Sequence, residues 1–435
     1  MLRSQAYIRL LIVAAILGVP ISAAAYGFLA LVSYLQKELF THLPHGLGFS
    51  TVPAWWPLPM LLIGGVLTAL AIRYLPGTGG ASPAAGFAVH PPPKPIELPG
   101  VICAALASLA FGVVIGPEMP LIALGSGLAV LATKAARRRP VPPQGVAVLG
   151  AAGSFAAIST LLGSPLTGAF LLMEASGLGG PMLSLLLVPG LLASGVGALI
   201  FVGLDSLTGL GTFSLAIPSL PPFGHPDLAE FGWAIVIGLA AALLGPAILW
   251  LSMSLHRYAE KWTMIVLPLA GLAVAVLTII YTEATGKPSS NILFSGQSDI
   301  GPLIQHAASY SVGALLLLLA CKSVAYGVSI GSFRGGPIFP ALFVGAAGGV
   351  AMSHLPGLPL VAGVAMGIGA MTVAVMKLPL VSVLLASLLM LSDAVKVMPL
   401  VIVAVVVAYV VVAHVTPRLT VRPTGSEPAG QATST

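Results

Sequence analysis

The chain is predicted to fold as an all-α polytopic membrane protein of two inverted-topology halves with broken, tilted helices, and three observations carry that expectation. Of its 435 residues, 57% are hydrophobic and 7% charged, with a mean hydropathy of +1.05. Soluble globular domains do not reach that balance. Apolar stretches near the roughly 20-residue spanning length recur from Leu10 to His414 with short connections. The 51 glycines and 37 prolines fall largely at edges or breaks of hydrophobic runs, the pattern of folds made from short or half-membrane helices. The net charge of +6 sits mainly in loops and termini, so it reports orientation rather than a nucleic-acid partner.

Residues 1–35 comprise an N-terminal end, with Arg3 and Arg9, and a first membrane helix. The small residues from Ser22 to Ala25 imitate a signal-peptidase site, but the apolar run continues through Val32, which favours a retained helix. Residues 36–204 form the first membrane half. Lys37 to Pro59 reads as a hydrated loop with His42, His45 and interfacial Trp55 and Trp56; the histidines lack a third ligand, so no metal is expected there. Leu58 to Tyr74 reads as a helix ending in the Gly/Pro turn Leu75 to Pro83, and His90 to Pro99 as a proline-rich loop. Cys103 and Cys321 lie in separate apolar runs and read as buried, reduced thiols.

The stretch from Phe111 to Gly127, FGVVIGPEMPLIALGSG, organises the chain. An apolar helix breaks at Gly116 and Pro117, presents Glu118, and resumes after Met119 and Pro120. A carboxylate at membrane depth costs a few kcal/mol or more unless it faces a cavity or a partner, so it marks a candidate site. A helix starting beside it offers free N–H groups and the positive end of its dipole, which attract anions. The bland reading is a structural glutamate paired with Lys322 or Arg334.

Lys134 and Arg137 to Arg139 form the densest basic cluster, which the positive-inside rule places in the cytoplasm, and Arg3, Arg9, Arg418 and Arg422 put both termini there as well. The Ala- and Gly-rich run Gly145 to Ser176 breaks at Gly163 to Pro165 and suits close packing or a subunit interface. After the linker at 205–230, the second half at 231–421 repeats the plan. IGSFRGGPIFPALFVGAAGG is a second Gly/Pro break, with Gly336, Pro337, Ile338, Phe339 and Pro340. Pro120 to Pro340 is about 220 residues and Pro165 to Pro379 about 214, in keeping with duplication. Corresponding broken helices in two halves point to a transport site between them. Residues 422–435 read as a disordered tail.

These motifs resemble the CLC family of chloride channels and proton-coupled chloride antiporters, the resemblance being to a bacterial-type member without cytoplasmic regulatory domains. Gly116 to Pro120 looks like the family's G-[KR]-E-G-P motif, and Gly336 to Pro340 like its G-x-F-x-P region. AAGSFAAISTLLGSPLTG and MGIGAMTVAVMKLPL are similar to family helix pairs at equivalent places. The resemblance implies a homodimer in which each subunit has its own anion pathway, with Glu118 as a gating glutamate that occupies an anion site and leaves when protonated. It also marks departures. Gly80 stands at the family's anion-coordinating serine, with Ser82 as a candidate substitute, and Ala175 stands at the inner proton-relay glutamate, with Glu174 beside it as a candidate relay. Thr416 to Val421 reads TPRLTV, where the family carries a tyrosine, and Pro117 and Pro337 cannot donate backbone N–H groups.

The sequence therefore reads as a multi-pass inner-membrane protein, not an enzyme, that carries a small inorganic anion, chloride first, passively or with weak proton coupling. The alternatives are a strict chloride/proton or fluoride/proton antiporter and a transport-inactive membrane interaction protein. No cofactor is expected. No G-x-S-x-G elbow or H-E-x-x-H helix supports an intramembrane hydrolase.

Overall fold

A computed structural model describes residues 5–135, 143–177, 180–215, 217 and 220–415. The basic run at Arg137, Arg138 and Arg139, the end residues Arg3, Arg418 and Arg422, the segment Thr416 to Val421 and the tail lie outside these residues. In chain order the helices are α1 (Gln5–Lys37), α2 (Leu43–Gly46), α3 (Pro57–Tyr74), α4 (Leu98–Ala110), α5 (Glu118–Ala135), α6 (Pro143–Ala157), α7 (Pro165–Ser176) and α8 (Gly180–Thr208), then α9 (Leu228–Lys261), α10 (Thr263–Thr285), α11 (Ile300–Gln305), α12 (Val312–Ser332), α13 (Ile338–Met352), α14 (Leu360–Met376), α15 (Pro379–Leu389) and α16 (Ala394–Val415). Among the described residues, eight helical segments are long and apolar enough to span a membrane, while α4, α13, α14 and α15 are apolar but shorter. The chain is thus an all-α polytopic membrane protein, and its breaks fall where glycine and proline interrupt the apolar runs.

Local chemistry explains the helix ends. Pro57, Pro165 and Pro379 sit in first turns, where a missing N–H costs nothing. Asp227 and Glu230 form a reciprocal capping box that starts α9. Gly177 and Gly286 end α7 and α10 in the left-handed region. One expectation needs correction: Lys37 to Pro59 is not a loop throughout. The first helix continues through a π-helical turn at Glu38–His42 into α2, because no residue forces an exit before Gly48 at φ +92°.

The two halves repeat one packing plan at matched positions. A Cβ at Gly125 on α5 would run into the carbonyl oxygen of Gly153 on α6, and one at Gly153 into that of Gly125. In the second half Gly345 on α13 and Gly367 on α14 stand in the same reciprocal relation. Gly65 and Gly271 repeat the device between α3 and α10, against the carbonyls of Leu267 and Leu61. Without a hydrophobic drive between helices in lipid, close backbone approach at small residues supplies the dispersion contact that holds them. α14 is buried from Val361 to Met376, so the α13–α14 pair forms the centre of the protein.

Replacing Gly367 by Leu is expected to cost more than about 3 kcal/mol, since the side chain has only backbone to displace, and to abolish the monodisperse detergent-solubilised species. Gly27 has open space on its side-chain face, with nothing within 4 Å of the place a Cβ would take, so Gly27→Ala is expected to stay within about 1 kcal/mol of wild type, on the stabilising side. Thermal unfolding of the two variants in detergent checks both.

Candidate functional site

The site is built where the two broken helices face each other. α4 stops at Ala110, the chain turns through Gly112 at φ +95°, and α5 begins at Glu118. α12 stops at Ser332 and α13 begins at Ile338. Between these ends Gly116 and Gly336, at equivalent places in the two halves, form an isolated antiparallel bridge. Each N–H donates to the other's carbonyl, at 2.8 Å from Gly116 and 2.6 Å from Gly336. Antiparallel pairing of equivalent residues is what a local two-fold axis produces, so the inverted relation of the halves is visible at this junction.

Glu118 folds back across the bridge and is fully buried. Its Oε1 accepts a hydrogen bond of 2.5 Å from the backbone N–H of Ile338, the residue equivalent to Glu118 in the second half. The carboxylate therefore sits at the N-terminus of α13, where free N–H groups and the helix dipole favour negative charge. Its Oε2 has no hydrogen-bond partner among the described residues. A Cβ at either Gly116 or Gly336 would overlap the carboxylate, so both positions must be glycine for the side chain to lie there. Among the described residues neither Lys322 nor Arg334 makes an ion pair with it.

A second layer fixes this junction. The Tyr326 hydroxyl donates to the Pro337 carbonyl at 2.5 Å, and Val114 N–H donates to Ser329 Oγ at 3.1 Å. Fully buried Lys322 donates to three successive carbonyls, Ile292, Leu293 and Phe294, at 2.8, 3.0 and 3.1 Å. Its ammonium also stands 4.7 Å from the centre of the Phe343 ring. Phe294 N–H in turn donates to the carbonyl of Gly112, so the lysine holds the loop that braces the first break. Sequence reading missed this task because the acceptors are backbone atoms with no residue-type signature.

The other predicted residues separate into groups. Met119, Pro120 and Gly80 line a cavity of about 80 Å³ together with Ser126, His90 and Arg334. The turn that carries Gly80 has four successive residues at positive φ, Gly77, Thr78, Gly79 and Gly80. Thr78 adopts φ +48° at a cost of roughly 1 kcal/mol, and its carbonyl is held by Arg334 Nε at 3.3 Å. Ser82 is not beside that cavity; its hydroxyl lies 3.4 Å from His256 Nδ1. Phe339 and Pro340 follow Ile338 on α13, both buried.

Glu174, at the far end of α7, is committed elsewhere: its two oxygens accept from Leu380 N–H at 2.9 Å and Val381 N–H at 2.8 Å, capping α15 across the halves. Cys321 is buried, whereas Cys103 is exposed on the outer side of α4, which corrects the expectation of two buried thiols.

Comparison with known proteins agrees with this geometry. A family model described as Voltage gated chloride channel matches residues 64–413. Relatives named as the putative ion-transport protein YfeO include one from an Escherichia coli strain, 31% identical over 369 residues and 82% of each chain, and one from Salmonella schwarzengrund, 30% identical over 384 residues, 86% of this chain and 88% of the relative. Among solved structures, a slow cyanobacterial Cl-/H+ antiporter superposes with a TM-score of 0.73 at 20% identity, covering 93% of this chain and 94% of the other. A CLC-type fluoride/proton antiporter gives 0.65 at 17% identity, covering 93% and 95%, and a eukaryotic CLC transporter 0.69 at 15%, covering 94% and 72%. At these identities the solved structures establish the fold.

Lys322→Met should leave three buried carbonyls without their cation. Charge-assisted hydrogen bonds of this kind contribute about 1.5–3 kcal/mol each, and a loss of about 3 kcal/mol or more is expected in detergent unfolding. A loss below about 0.5 kcal/mol, the range of an ordinary surface change, would show that the loop is held by other contacts.

Proposed function

Given that this chain belongs to the voltage-gated chloride channel family, we propose that it carries a small inorganic anion, chloride first, along a pathway gated by Glu118, with weak or no proton coupling. The carrying observation is the Glu118 carboxylate seated on the Ile338 N–H at the N-terminus of α13. A carboxylate and a halide are both satisfied by the same donors, so they compete for the seat, and protonation of the carboxylate tips the competition toward the anion. The glycine pair gives the side chain room to lie there without a covalent or ionic anchor.

Weak coupling is supported by the other end of the route. Ala175 cannot carry a proton, and the neighbouring Glu174 carboxylate is held by two α15 amides rather than facing Glu118. Placement in the inner membrane with cytoplasmic termini and assembly as a homodimer, each subunit with its own pathway, complete the proposal.

The test is chloride efflux from liposomes containing the purified protein, recorded together with proton uptake. Efflux should rise on acidification, as protonated Glu118 releases its seat. In Glu118→Gln the pH dependence should disappear, and the rate at neutral pH should rise about tenfold or more, since a hydrogen bond to an ionised group is worth roughly 1.5–3 kcal/mol. Stoichiometric proton movement in wild type that stops in the variant would replace weak coupling by exchange. Absence of chloride, fluoride and nitrate flux from folded protein would overturn the transport reading.

A further inference from the structure

Arg334 stands between two cavities with most of its donors unspent. On one side is the cavity of about 80 Å³ that reaches Met119 and Pro120, next to the gating residue. On the other is a larger cavity of about 260 Å³, where Thr78, His256, Glu260, Thr263, Ser332 and Arg334 share the wall with the apolar Ile72, Ala259 and Leu267. The guanidinium carries five N–H donors, yet among the described residues it makes only two long hydrogen bonds, from Nε to Thr78 O at 3.3 Å and from Nη1 to Phe333 O at 3.5 Å. No carboxylate of the described residues lies within ion-pair distance; Glu260, the acid in the same cavity, pairs instead with His256 Nε2 at 3.2 Å.

A second observation points to a ligand in the same place. Ser332, at the end of α12, is 1% exposed, lines the larger cavity, and its Oγ has no hydrogen-bond partner among the described residues. An unpartnered buried hydroxyl and an under-committed guanidinium on the wall of one cavity leave two donors there for an acceptor with negative charge. The space suffices for a halide and part of its hydration shell, since a water needs about 30 Å³. Gly80, on the wall of the smaller cavity, offers no hydroxyl of its own.

We propose that Arg334 and Ser332 form a side-chain anion station in the pathway, which takes a small inorganic anion such as chloride before or after it passes Glu118, and that Glu260 weakens it by drawing on the same positive charge. The station rests on the transport reading above. Its distinguishing property is a permanent cation from a side chain, so its occupancy does not depend on the protonation of Glu118. His256 sets the balance by holding Glu260 away: its Nε2 faces that carboxylate, while its Nδ1 lies 3.4 Å from Ser82 Oγ and 3.3 Å from the Gly331 carbonyl.

Chloride binding to the detergent-purified full chain, measured by titration calorimetry in chloride-free buffer, tests the station alongside liposome efflux. Arg334→Gln should weaken binding at least about tenfold, the scale of a lost charge-assisted hydrogen bond, while Arg334→Lys should recover most of it because the charge remains. Glu260→Gln should tighten binding by about threefold or more, as expected when a nearby opposing charge is removed; its side chain is 68% exposed, so folding is not at risk. This second variant decides the matter if Arg334→Gln fails to fold. Unchanged affinity in both the glutamine variants, or no chloride binding to wild type, overturns the station even if efflux is normal. Arg334-dependent binding without any efflux would keep the station and overturn the transport reading instead.

Discussion

The Gly116–Gly336 bridge is the constraint from which the rest of the site follows. Two half-helices end to end in a membrane leave N–H groups and partial positive charge facing each other, and the bridge satisfies one N–H and one carbonyl from each side. With no Cβ on either glycine, the Glu118 carboxylate lies across the junction and takes the Ile338 N–H. Any side chain at these two positions would push the carboxylate off its seat. Only Oε1 is engaged, and Oε2 has no partner among the described residues. A buried carboxylate oxygen without a donor is costly, and that cost is the observation from which the proposed gating role starts.

The surroundings are rigid where the junction needs support. The α5–α6 and α13–α14 pairs cross at glycines placed alike in the two halves, so both half-helices are anchored by backbone contact rather than by adaptable side chains. Tyr326, Ser329 and Lys322, all on α12, tie down the Pro337 carbonyl, the Val114 amide and the loop at 292–294. Lys322 is a buried amine whose donors are all spent on carbonyl oxygens. Glu174, by capping α15 from α7, ties the two halves together at another pair of equivalent helices.

Much of this was legible in the residues. The breaks at Gly116–Pro117 and Gly336–Pro337 stand out because glycine and proline punctuate otherwise apolar runs, and Glu118 stands out because a lone carboxylate in such a run is expensive. The duplication showed in the spacing of about 220 residues between the two breaks. What escaped the sequence depends on backbone acceptors or on contacts far along the chain. Lys322 is coordinated by carbonyls 28 to 30 residues away. His256, without metal-like spacing, carried no signal, yet it joins Glu260 to the turn at Ser82. Ser82 itself, two positions from the family serine, turns toward that histidine instead of the cavity beside Gly80. Cys103 looked buried because hydrophobic neighbours in a membrane chain do not distinguish a protein-facing from a lipid-facing side.

The central claim is that Glu118 occupies an anion's place at the N-terminus of α13. Crystals of Glu118→Gln grown or soaked in bromide would test it through anomalous scattering. The expected result is a bromide peak within hydrogen-bonding distance of the Ile338 N–H, with the glutamine side chain swung out of the junction. A clear map with no bromide there, and the glutamine still lying across Gly116 and Gly336, would contradict the claim and make Glu118 a structural cap.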